Sequence, residues 1–109
     1  RVSYQNAFGS TVKYVTGEVS RIHLDNAFGT MEVYFSDAVL KDHMANVKVD
    51  SAFGRVVLYV PESWQVISEH METAFGNGMV MEHKNNPGAE DTLYVSGDIS
   101  FGALLITTM

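Results

Sequence analysis

The chain has no cysteine, two prolines, and only seven lysines and arginines against thirteen aspartates and glutamates. Each shortage removes something. Without cysteine there is no disulfide framework and no thiolate metal site, although the compartment stays open. A formal net charge of −6 lacks the basic face that would neutralise phosphate, which argues against a nucleic-acid partner and against direct docking on anionic lipid. Long apolar runs are missing too. The longest, Val56 to Val60, is far short of the ~20 residues that span a bilayer. No signal-peptide pattern opens the sequence. The first residue is Arg1, not Met, which leads us to expect a piece of a longer protein whose targeting segment lies upstream.

What is present is repetition. Ala-Phe-Gly occurs four times and Ser-Phe-Gly once, placing phenylalanine at Phe8, Phe28, Phe53, Phe75 and Phe101, spaced 20, 25, 22 and 26 residues apart. A period in this range marks a solenoid or array, in which one repeat cannot bury its own core. With Phe as position zero, position −6 reads Val2, Ile22, Val47, Glu69, Val95 and position −4 reads Tyr4, Leu24, Val49, Met71, Gly97. Polar residues alternate with them: Ser3, His23, Lys48, His70, Ser96 at −5, and Gln5, Asp25, Asp50, Glu72, Asp98 at −3. Period two means strand with one buried face. The expectation is that Phe, −4 and −6 point inward and the −3 and −5 residues outward.

Gly9, Gly29, Gly54, Gly76 and Gly102 follow the phenylalanines. They suit a bend between two strands, by positive φ or by close backbone approach. The second strands include Thr11–Val15, Met31–Phe35 and Val56–Val60, with Met31, Val33, Phe35, Val56, Leu58 and Val60 inward and Tyr14, Tyr34 and Tyr59 outward. Lys13 takes an inward slot, which fits an end repeat whose ammonium reaches water. The fourth copy is irregular. Asn77-Gly78 signals a shifted strand, and Glu69 at −6 calls for a bulge that turns it outward. Asp37–Leu40 reads as a third short strand. The fold class expected is all-β: a short single-domain β-solenoid of about five coils over residues 1–109, with Asn6, Asn26, Ser51 and Thr73 as a polar ladder near a corner. An antiparallel meander or sandwich is the alternative. If the rings are internal, Phe53→Ala costs ~3–5 kcal/mol.

Chemistry is sparse. Stacking would place the carboxylates Asp25, Asp50, Glu72 and Asp98 ~5 Å apart, near enough to share a cation. A solvated outward face countered by His23, Lys48 and His70 explains them as well, since no glycine-rich calcium loop accompanies them. The histidines His23, His43, His70 and His83 show no His-x-x-x-His pair, so no metal is assigned. There is no Gly-x-Ser-x-Gly, no phosphate loop and no cysteine nucleophile, so neither a catalytic residue nor a cofactor is assigned. Tyr14, Tyr34, Tyr59 and Trp64 form a candidate partner-binding surface, or else a ladder that stabilises stacked strands.

The stretches Asp50-Ser51-Ala52-Phe53-Gly54-Arg55-Val56-Val57-Leu58-Tyr59-Val60-Pro61 and Leu93-Tyr94-Val95-Ser96-Gly97-Asp98-Ile99-Ser100-Phe101-Gly102 resemble the C-terminal domain of LiaF-like (cell-wall-active antibiotics response) proteins. The resemblance implies a short β-helix behind several N-terminal membrane helices, on the cytoplasmic side if their number is even. It also implies a regulatory role in envelope stress beside a sensor histidine kinase. It carries no catalytic residue. The function expected is a non-enzymatic interaction module with a protein partner. The alternatives are a scaffold that self-assembles through open coil ends and a carbohydrate-binding β-helix.

Overall fold

In the computed structural model, which describes residues 1–109, the chain forms eight strands: β1 Val2–Asn6, β2 Gly9–Val19, β3 Arg21–Ala27, β4 Gly29–Leu40, β5 Met44–Val60, β6 Gln65–Ala74, β7 Gly78–Met81 and β8 Thr92–Thr108. A single 3₁₀ turn, Lys41–His43, separates β4 from β5. Every pairing is parallel, which removes the antiparallel meander. Residues before each Phe pair in one row and residues after it in a second. β5 and β8 run through the Phe-Gly corner and belong to both rows.

The copies do not stack in sequence order. β1 pairs β3, β3 pairs the first half of β5, that half pairs β8, and β8 pairs β6. The fifth copy therefore lies between the third and the fourth. The fourth is displaced to an end because it is the least regular. Its register slips between Ser68 and Met71, leaving Glu69 exposed as the bulge reading requires, and Gly78 rather than Asn77 faces Ala103. A middle copy must match two neighbours and an end copy only one. The first copy, where Lys13 faces Val33 with its Nζ 5.6 Å from the Tyr4 ring centre, is the other end. Thr16–Val19 faces Asp37–Leu40 beyond a bulge, which bears out the third short strand.

The core is the inward set of both rows. Leu24, Val47, Val49, Met31, Val33, Phe35, Val56, Leu58, Val60, Leu104 and Ile106 are fully buried, each such side chain contributing about 1.5–3 kcal/mol by leaving water. The phenylalanines of the repeat are not among them. Phe28, Phe53, Phe75 and Phe101 sit at φ 54–58°, in the left-handed region. One residue there breaks the period of two, so the position after the inward −2 residue and the outward −1 residue turns out instead of in. The five rings are 47–78% exposed. The expected inward Phe stack is thus corrected to an outward one.

The space an inward ring would occupy holds amides. Asn6 and Asn26, at −2, are buried. Asn6 Nδ2 donates to Asn26 Oδ1 at 2.8 Å and to the Gly9 carbonyl at 3.1 Å. Asn26 Nδ2 donates to the Gly29 carbonyl at 2.9 Å and to Ser51 Oγ at 3.2 Å. The ladder ends where Ile99 takes the −2 place, and Thr73, its neighbour on β6, is exposed. The glycine after Phe makes room for this arrangement. A Cβ on Gly54 would strike the Gly29 carbonyl and lie 2.8 Å from Asn26 Nδ2. Close approach, not left-handed φ, is what Gly54 supplies. Asn26→Asp keeps the shape but removes the donor, and should cost about 1–3 kcal/mol for each carbonyl or hydroxyl left unpaired. Chemical denaturation measures it, and an unchanged midpoint would show that the ladder contributes nothing.

Candidate interaction surface

The Phe-Gly corner sets the outer surface. The backbone turns left-handed at Phe28, Phe53, Phe75 and Phe101 and one residue later, at Gly9, in the first copy, and the rings lie face to face. Phe8–Phe28, Phe28–Phe53, Phe53–Phe101 and Phe101–Phe75 have centroids 5.4, 5.1, 4.6 and 4.9 Å apart, with planes within 16° of parallel. These steps follow the ~4.8 Å strand spacing. The result is a continuous apolar ridge across all five copies. Monomeric proteins seldom leave contiguous apolar surface open without using it.

Beside the ridge run two further columns. Ala27, Ala52 and Ser100 are in register at −1, and Ala74 faces Ser100. Asp25, Asp50, Asp98 and Glu72 are in register at −3. The small −1 residues leave a shallow hollow of about 220 Å³, floored by Ala27, Ala52 and Ser100 and edged by Asp25, Asp50 and Asp98. A second, about 200 Å³, continues past Ala74 to Glu72. Among the four acids only Asp50 has side-chain partners: His23 Nε2 at 2.8 Å and the Lys48 ammonium at 3.9 Å. Asp25, Asp98 and Glu72 are exposed. No group of three or more potential ligands is gathered closely enough to hold a metal ion.

The −5 column, with Arg1 and Arg21, forms a basic counterpart. Arg1, Arg21, His23 and Lys48 line an open hollow of about 380 Å³. His70, which the alignment puts at −5, is carried out of that column by the bulge in β6 at φ 54°. His43 lies elsewhere, 3.0 Å from Asp91, and His83 is buried with Nε2 2.9 Å from the Pro61 carbonyl.

The tyrosines stack in register on the second row. Tyr14–Tyr34 and Tyr34–Tyr59 have centroids 5.0 and 4.2 Å apart, and Tyr14 is the most open. Their column ends at Thr107, the partner of Tyr59. Trp64 does not join them. It is 5% exposed and packs edge-on against Phe35 with centroids 6.0 Å apart. The connector after Pro61 turns back over the end of the core, and Trp64 fills it, so its expected surface role is corrected to a core one.

Tyr59 donates its hydroxyl to Glu32 Oε1 at 2.9 Å. That bond, with lesser help from burial and from the carboxylate charge, pushes its pKa up from 10.0 to about 12. The neutral phenol is the form the folded state favours. Its stabilising contribution is therefore full below pH 10, where the unfolded tyrosine is also neutral, and is lost as pH rises toward 12. In an ultraviolet titration Tyr59 should ionise late, toward pH 12, and Glu32→Leu, which removes the acceptor together with the charge, should bring its ionisation down. A single tyrosine transition in the wild type would contradict this.

The family scan matches residues 8–100 to the C-terminal domain of the cell wall-active antibiotics response protein LiaF, and the chain belongs to that LiaF-like family. The family is a regulatory one, associated with the membrane in the response to cell-wall antibiotics. No curated protein and no solved structure matches the chain.

Proposed function

We propose that this LiaF-like domain is a short β-solenoid of five Phe-Gly coils that works without catalysis, as a regulatory contact module of the bacterial envelope-stress response. A membrane anchor in an N-terminal part holds it at the membrane, on the cytoplasmic side. There it restrains a sensor histidine kinase until cell-wall damage releases it. The in-register stacking of like residues supports the solenoid reading, and family membership supports the stress response. The observation that carries the contact role is the open, stacked aromatic ridge. A surface of five aligned, exposed phenylalanines is costly to leave in water and well suited to a partner.

The test is made in the bacterium that encodes the domain. Residues 1–109 are removed from the parent gene, and an envelope-stress reporter is followed with and without a cell-wall-active antibiotic, together with phosphorylation of the neighbouring kinase. Loss of the domain should raise unstressed reporter output and kinase phosphorylation toward the antibiotic-treated level. Identical output in both strains, with and without antibiotic, would end the regulatory reading.

A further inference from the structure

The ridge has a measurable shape, and that shape selects among partners. The four ring-to-ring steps of 5.4, 5.1, 4.6 and 4.9 Å run to about 20 Å. The acid column stands three residues away along each strand, about 10 Å of extended chain. Between them lies a trough floored by Ala27, Ala52, Ser100 and Ala74. Its width suits the ~10–12 Å diameter of an α-helix, and the spacing of the copies is near the 5.4 Å helical pitch. A helix laid along the trough would present one turn to each copy. A partner strand laid the same way would not keep step, since its same-face residues recur every ~6.7 Å.

Charge fixes the helix's other side. The far wall carries Asp25, Asp98 and Glu72, all exposed and without a cationic partner within bonding reach, with Asp50 among them held by His23 and Lys48. The whole chain carries −6. An apolar stripe would meet the rings and a flank of guanidinium or ammonium groups would meet the carboxylates, where charge-assisted bonds are stronger than neutral ones. The left-handed backbone at Phe28, Phe53, Phe75 and Phe101 points the same way. A bulky residue at positive φ costs energy, and such strain is kept where the display of the side chain matters.

We propose that the trough between the Phe8–Phe28–Phe53–Phe101–Phe75 ridge and the Asp25–Asp50–Asp98–Glu72 column is a docking groove for a basic amphipathic α-helix of about 13 residues, supplied by a protein partner. This deepens the contact role and rests on it.

The probe is a synthetic peptide of about 14 residues with leucine along one helical stripe and arginine along its flank. The same peptide with glutamate for arginine serves as the control. Binding to the 109-residue chain is read by fluorescence anisotropy at low and high salt, and its location by amide chemical shifts. The arginine peptide should bind, more weakly at high salt, with shifts gathered at Ala27, Ala52, Ser100 and the ridge. Asp25→Asn with Asp98→Asn should weaken it about tenfold, as should Phe28→Ser with Phe53→Ser. The acid substitutions touch only exposed, unpaired groups, so they keep the test valid if the ridge variant fails to fold. Failure of the arginine peptide to bind, equal binding of the glutamate peptide, or full affinity in the acid variant would overturn the groove. The reporter experiment is decided separately. Peptide binding with an unchanged reporter keeps the groove and removes the stress role, and the reverse keeps the stress role and removes the groove.

Discussion

Gly97→Ala should destabilise the protein by about 2–6 kcal/mol, a large share of a typical domain's total stability. Gly97 is buried at the −4 level of β8, between Val49 of β5 and Met71 of β6. Its φ is +137°, a conformation that costs a side-chain-bearing residue ~1–3 kcal/mol. A Cβ there would also meet the Val49 carbonyl carbon at 2.6 Å and amide nitrogen at 2.7 Å, with the oxygen nearer still. These are backbone atoms in the middle of a sheet and cannot swing aside, so an overpacking cost of another ~1–3 kcal/mol adds to the strain. Gly88→Ala is the control, because a Cβ there meets nothing within 4 Å, and its effect should stay within about 0.5 kcal/mol. Thermal or denaturant unfolding compares the two. Equal melting temperatures for Gly97→Ala and wild type would mean that the neighbouring strands yield far more easily than stacked backbones should.

The second large effect separates two kinds of phenylalanine. Phe35→Ala should cost about 3–5 kcal/mol, the usual range for a buried ring. Phe35 is fully buried and packs against Trp64, so its loss opens a cavity under the connector that closes the core. Phe53→Ala should cost less, about 1–3 kcal/mol. It removes two stacking contacts, to Phe28 at 5.1 Å and Phe101 at 4.6 Å, each worth roughly 0.5–1.5 kcal/mol, from a ring already half in water. Alanine also tolerates the left-handed corner no better than phenylalanine, so no relief of strain offsets the loss. Denaturant titrations of the two variants would reverse the reading of the fold if Phe53→Ala proved the more damaging.

That contrast also marks how far the sequence is legible. The alternation at −6, −4 and the second-strand positions identifies the strands and most of the core, because period two survives wherever the backbone is extended. It fails at Phe itself. A single left-handed residue inverts the side-chain direction, and the residue that favours such a φ is glycine; nothing in Ala-Phe-Gly says that the phenylalanine takes it. The signal available was one step back. Asn6, Asn26 and Ser51, two residues before the ring, alternate in phase with −4 and −6, so a polar ladder there implied that the buried face reached it. Stacking order was hidden for another reason. Copies that resemble one another can pair with any neighbour, and sequence proximity is no guide to which pair forms. Irregularity was the usable clue, since Glu69 and Asn77-Gly78 suit a copy that has one neighbour rather than two. Trp64 misled because a lone aromatic in a connector reads as exposed until the path of that connector over the core is known.

One strand is a keystone. β8 pairs β5 on one side and both β6 and β7 on the other, so the chain from Thr92 to Thr108 holds the fourth copy to the rest of the molecule. The first three copies can assemble as they leave the ribosome. β6 and β7 have no strand to join until β8 is made, and they must wait without closing onto Val47, Val49 and Leu58, whose strand β8 will claim. A chain cut short before Thr92 would not lose just one repeat at its tip. It would cut the molecule through the middle and strand an intact fourth copy beside a raw edge.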